Sequence, residues 1–106
     1  MTDFRRACAV GEVPADGATH VDIDGVPVAI VNADGDIYAI YDVCSHEEVP
    51  LSEGDIDGTT IECWLHGSRF DLATGKPTGL PATKPVPIYP VKIDGDDVLV
   101  RLSEES

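Results

Sequence analysis

HVDIDGVPVAIVNADGDIYAIY, residues 20–41, is the stretch that decides the fold. Two Asp-Gly pairs, Asp24-Gly25 and Asp34-Gly35, divide it into three apolar runs. Both residue types tolerate the positive φ that a two-residue hairpin turn demands, so each pair predicts a hairpin. In 20–24, Val21 and Ile23 face one way while Asp22 and Asp24 face the other, as on a half-buried strand. The middle run, VPVAIV at 26–31, reads as a buried strand, and IYAIY at 37–41 as the next one.

Working outward, Asp-Gly recurs at 16–17, 57–58 and 94–95. Further strands are expected at 3–9, 59–63, 88–93 and 97–102, the last two joined through Asp94-Gly95. No segment keeps helical periodicity for three turns. Many short strands with regular turn signals predict an all-β, antiparallel sandwich or barrel. A length of 106 residues predicts one domain, 1–106, with one core. Pro77, Pro81, Pro85, Pro87 and Pro90 crowd one stretch. Proline donates nothing to a sheet ladder, so at least 77–85 is expected to be a stiff surface loop. The last four residues, SEES, are expected to fray.

Twenty acidic residues against seven Lys and Arg give a formal charge of -13. Such a surface repels nucleic acid and anionic lipid, and steers the chain toward basic partners. The first ten residues, MTDFRRACAV, hold no continuous apolar run, so neither a signal peptide nor a membrane anchor is expected. A cytoplasmic protein is the default, and there thiols stay reduced. Three cysteines, an odd number, argue against a disulfide framework and need another explanation.

Two short motifs supply it. Cys44-Ser45-His46 and Cys63-Trp64-Leu65-His66 form a C-x-H, C-x-x-H pair, each where a strand should pass into a loop. Two such loops facing each other bring two thiolates and two imidazoles together. Zinc accepts that donor set, although a zinc finger pairs Cys with Cys and puts its His pair on a helix. A two-iron cluster suits the interleaved order better, with both thiolates on one iron and both imidazoles on the other. A buried cysteine is often only a small hydrophobe, and a lone histidine is usually either satisfied in the core or exposed. That plain reading suits Cys8 and His20, which have no partners in sequence.

Residues 44–54, CSHEEVPLSEG, and 63–79, CWLHGSRFDLATGKPTG, resemble the cluster loops of the Rieske [2Fe–2S] ferredoxins. The likeness is to the small bacterial ferredoxins of ring-hydroxylating dioxygenase-like systems, and it covers nearly the whole chain. It implies a Rieske-type β-sandwich in which a small cluster-binding subdomain sits on a larger antiparallel base. The cluster loops would lie at about 43–54 and 63–71, with a proline-rich covering loop at about 77–87. It implies one [2Fe–2S] cluster held by Cys44, His46, Cys63 and His66. Trp64, Leu65, Gly67, Ser68, Phe70 and Pro81 would surround it. Trp64 would shield the sulfurs, and Leu65 would pack under its loop.

The respiratory members of the family brace the cluster with a disulfide between two further cysteines. Val49 and Leu65 stand at those positions here, so no brace is possible. High-potential members use a Ser and a Tyr hydroxyl to stabilise the reduced cluster. Ser68 keeps the first, whereas Phe70 lacks the second. With Glu47 and Glu48 nearby in sequence, this places the potential low in the Rieske range of roughly −150 to +300 mV. Ligation through one ring nitrogen leaves the other N–H of His46 and His66 to titrate, so the potential should fall at alkaline pH.

The implied function is one-electron transfer from a flavoprotein reductase to a terminal oxygenase, with partners docking at the His46/His66 tip. A monomer that is not itself an enzyme is expected, with no nucleic acid or membrane partner. The alternatives are the small Rieske-fold subunit of an assimilatory nitrite reductase, an accessory ferredoxin of iron–sulfur assembly, and a zinc-binding interaction module.

Overall fold

A computed structural model describes residues 4–43, 50–63, 69–78 and 85–102. The described residues form β1 (Phe4–Ala9), β2 (Gly17–Ile23), β3 (Val26–Ala33), β4 (Asp36–Tyr41) and β5 (Ile56–Asp57). β6 (Thr60–Glu62), β7 (Arg69–Asp71), β8 (Ile88–Tyr89), β9 (Val91–Asp94) and β10 (Asp97–Arg101) complete the set. Short 3-10 turns occupy Val10–Glu12 and Leu51–Glu53, and there is no α-helix among the described residues. Nor is any helix there long and apolar enough to cross a membrane.

Both Asp-Gly pairs of the 20–41 stretch close hairpins. Asp24 and Gly25 have φ of 52° and 84°, and Asp34 and Gly35 have 55° and 88°. Positive φ at both central residues matches the turn to the right-handed twist of its strands. Ile23 then pairs with Val26, and Ala33 with Asp36. The chain forms three antiparallel sheets, ordered β2-β3-β4-β8, β1-β10-β9 and β5-β6-β7.

β3 explains how they stack. Val28, Ala29, Ile30, Val31 and Ala33 are all fully buried, so both faces of this strand are covered. Side chains alternate across a strand. Val28 and Ile30 join Cys8, Ala39, Val98 and Val100 in one apolar cluster. Ala29, Val31 and Ala33 join Ile40, Leu51, Ile61, Cys63 and Phe70 in the other. The four-stranded sheet is therefore a middle layer, with β1, β9 and β10 on one face and β5–β7 on the other. The non-alternating VPVAIV run is the sequence mark of that double burial.

Three expectations need correction. The run expected as one strand at 88–93 is two strands in different sheets, since β8 pairs with β4 and β9 with β10. Pro90 separates them: it has no N–H for either ladder, while its carbonyl accepts from Arg101 N at 3.1 Å. The strand at 20–24 begins earlier, at Gly17. β5 and β7 were not expected at all, being two and three residues long. The frayed tail at 103–106 lies outside the described residues.

Candidate metal centre

The three loops singled out by sequence leave the sheets from stems that are bonded to one another. At the first loop, β4 is followed directly by Asp42, which is buried at 1% exposure. Ser52, in the 3-10 turn that follows residues 44–49, donates to the Asp42 carboxylate from its backbone N at 2.6 Å and from its hydroxyl at 2.7 Å. The two ends of the loop are thus held side by side. Leu51, fully buried beside Ser52, anchors the 3-10 turn in the apolar cluster.

The second loop is closed by strand pairing. Glu62 on β6 faces Arg69 on β7, and the Arg69 guanidinium lies 3.2 Å from the Glu62 carboxylate. The first two loops also touch at their stems. Gly54 runs so close to β6 that a Cβ added there would sit 1.6 Å from the Glu62 carbonyl oxygen. Its φ of -88° is ordinary, so space rather than conformation requires glycine. The proline-rich stretch is tied to both stems. Thr78 N donates to Arg69 O at 2.7 Å, Pro77 forms a bridge with Phe70, and Tyr41 N donates to Pro87 O at 2.9 Å.

Of the four candidate ligands, Cys63 has a described position. It follows β6, is fully buried, and belongs to the apolar cluster of Leu51, Ile61, Phe70, Leu72 and Val86. Cys44, His46 and His66 lie outside the described residues, as do Trp64, Leu65, Gly67, Ser68 and Pro81. Glu47, Glu48 and Val49 lie outside them too. Phe70 is described: its ring is fully buried on β7, opposite Ile61. Among the described residues no group of three His, Cys, Asp or Glu could hold a metal, and three of the four candidate ligands lie outside those residues.

Cys8 is the small hydrophobe expected of it. It is 3% exposed on the far face of the middle sheet, and burial pushes its thiol pKa up. His20, read from sequence as an ordinary satisfied or exposed histidine, is partly exposed and bonded to acidic side chains. Its Nδ1 lies 2.5 Å from Asp42 Oδ2 and its Nε2 3.4 Å from Asp22 Oδ1. The hydrogen bond to Asp42, ahead of the charges of Asp42 and Asp22, raises its pKa above the ordinary value against a smaller opposing effect of burial. The separations of 22 and 10 residues from Asp42 to His20 and Ser52 hide this network from any local reading. The one available signal was an acidic residue at the end of an apolar strand, where a buried charge demands partners.

Comparison with known proteins settles the family. Residues 3–90 match the model of the Rieske [2Fe-2S] domain. The chain belongs to the Rieske [2Fe–2S] family. It is 46% identical over 101 residues to the biphenyl dioxygenase ferredoxin subunit of Pseudomonas sp. (strain KKS102), covering 94% of this chain and 93% of that one. Its fold is similar to the ferredoxin of carbazole 1,9a-dioxygenase from Nocardioides aromaticivorans IC177. There the TM-score is 0.87 and the identity 38%, over 92% of this chain and 95% of that one. A further structure is a complex of reduced oxygenase and oxidized ferredoxin in carbazole 1,9a-dioxygenase. A chain of that complex matches with TM-score 0.86 and 32% identity, over 92% of each chain. The fold is accordingly a Rieske antiparallel β-sandwich.

The cofactor of this Rieske chain is one [2Fe–2S] cluster. The described residues fit it. A buried thiol stands in an apolar setting where β6 ends, and the stems of both motif-bearing loops meet beside it. Two thiolates and two imidazoles are the donor set that such a cluster takes.

Proposed function

We propose that this Rieske chain is the ferredoxin of a multicomponent oxygenase, taking one electron at a time from a flavoprotein reductase and passing it to a terminal oxygenase. The observation that carries the reading is the convergence of three bonded loop stems around the buried Cys63, in a chain of this family. The likeness to a dioxygenase ferredoxin subunit over nearly the full length of both chains supports the carrier role over the nitrite-reductase alternative.

Cys44 and Cys63 would hold one iron through their thiolates, and His46 and His66 the other through one ring nitrogen each. When bound, the cluster supplies a single-electron store. The protein's part is to fix the four donors, exclude water from the sulfurs and leave a docking edge. Trp64, Leu65, Gly67, Ser68 and Pro81 are the residues proposed to close around the sulfurs, and Phe70 packs behind them. Partners would dock at the His46/His66 tip over a small transient interface, below ~1,200 Å². The chain would act as one cytoplasmic domain, 1–106, and as a monomer.

Stopped-flow mixing tests this reading. Protein reduced by a flavoprotein reductase and NADH should be reoxidised by a dioxygenase of the biphenyl or carbazole class, in a single phase of one electron per chain. Failure to accept electrons from any such reductase, or to reduce any such oxygenase, would contradict it.

A further inference from the structure

Asp42 is the one buried charged side chain among the described residues, and the ligand motifs do not contain it. Its carboxylate accepts from Ser52 N at 2.6 Å through Oδ1, and from Ser52 Oγ at 2.7 Å through Oδ2. Oδ2 also meets His20 Nδ1 at 2.5 Å. The Asp42 backbone N donates to Pro27 O at 3.0 Å, which ties the same residue to β3. These contacts join β2, β3, the residue after β4 and the 3-10 turn at Leu51–Glu53.

A carboxylate is kept in such a place only when its lone pairs are filled, and hydrogen bonds to an ionised group are the strong ones. Here they span the first loop, since Asp42 precedes Cys44-Ser45-His46 and Ser52 follows it. Closing a free loop of this length onto a metal costs chain entropy. A bond between its two ends settles that cost when the chain folds, before any metal arrives.

We propose that Asp42 is a positioning residue of the cluster centre, clamping both ends of the first loop through Ser52 and itself held by His20. The proposal rests on ligation by Cys44 and His46. It goes beyond that ligation in assigning the positioning of the first loop to a carboxylate that stands outside both ligand motifs in the sequence. The simpler alternative is that Asp42 only adds to fold stability.

Holo-protein separates the two. Wild type, Asp42→Ala, Asp42→Asn and Ser52→Ala are compared by iron release to a ferrous chelator, by midpoint potential and by EPR of the dithionite-reduced form. Asp42→Ala should release iron about ten-fold faster or more, on the scale of lost outer-shell partners, with displaced EPR lines. Ser52→Ala keeps the backbone N–H bond and should fall between it and wild type. Asp42→Asn can still accept from Ser52 N through Oδ1 and should recover part of the loss. Should Asp42→Ala fail to fold, faster release from Ser52→Ala than from wild type sustains the proposal. Wild-type release, potential and EPR lines in both Ser52→Ala and Asp42→Asn would overturn it, even with a lowered melting temperature. A wild-type protein lacking a mixed His/Cys cluster signal would overturn the ligand assignment, and this proposal with it.

Discussion

Two residues carry the chemistry that single substitutions can read. His20 has a pKa raised above its ordinary value, first through its hydrogen bond to Asp42. A group whose pKa is higher folded than unfolded adds stability that is complete below the unfolded value of about 6.5 and is lost as pH rises through the folded value. The difference in denaturation midpoint between wild type and His20→Gln should therefore be largest in mildly acidic solution and shrink toward alkaline pH. A difference that grows with pH would contradict the pairing. Phe70 makes the second case. Its ring is fully buried in the apolar cluster that also holds Cys63. If its edge faces the cluster as the family resemblance implies, Phe70→Tyr should raise the midpoint potential with little change in melting temperature. An added hydroxyl without a partner would instead cost about 1–3 kcal/mol and leave the potential unchanged. A candidate donor set was legible in two short motifs, because cysteine and histidine at short spacing stand out in a sequence. The Asp42 network was not, since its members come from β2, the residue after β4 and a 3-10 turn.

At the scale of elements, what positions the site is the contact between loop stems. Gly54 shows it most sharply, because an added Cβ meets the Glu62 carbonyl rather than a movable side chain. Gly54→Ala must force the first loop's stem from β6, and should destabilise the protein by about 2–3 kcal/mol with poor cluster retention. Gly11→Ala is the control: a Cβ there meets nothing within 4 Å, and its effect should stay within about 0.5 kcal/mol. Equal effects of the two substitutions on chemical denaturation would contradict the account. The longer strands were legible because Asp-Gly pairs and apolar alternation mark them independently. β5 and β7 were not, because two or three residues carry no measurable period. The break between β8 and β9 was readable in principle. Pro90 announces it, yet the apolar run on either side suggests continuity.

For the whole molecule, charge and layering matter more than any one contact. A net charge of -13 on 106 residues should accelerate encounter with a basic partner surface. The second-order rate of electron transfer to the oxygenase should fall steeply as salt rises through about 0.1 M, where the Debye length is about 10 Å. A rate indifferent to salt would show that the acidic surface serves solubility alone. The layering sets where such a partner could act. The middle sheet puts β1, β9 and β10 on one face and the β5–β7 stems of the site on the other. The central claim, a two-iron cluster held by two thiolates and two imidazoles, is tested most directly by EPR of the dithionite-reduced protein with resolution of nitrogen couplings. Such a cluster gives a rhombic spin-half signal coupled to two imidazole nitrogens, with two irons per chain. An all-cysteine type of signal without nitrogen coupling, or no signal and bound zinc, would contradict the claim.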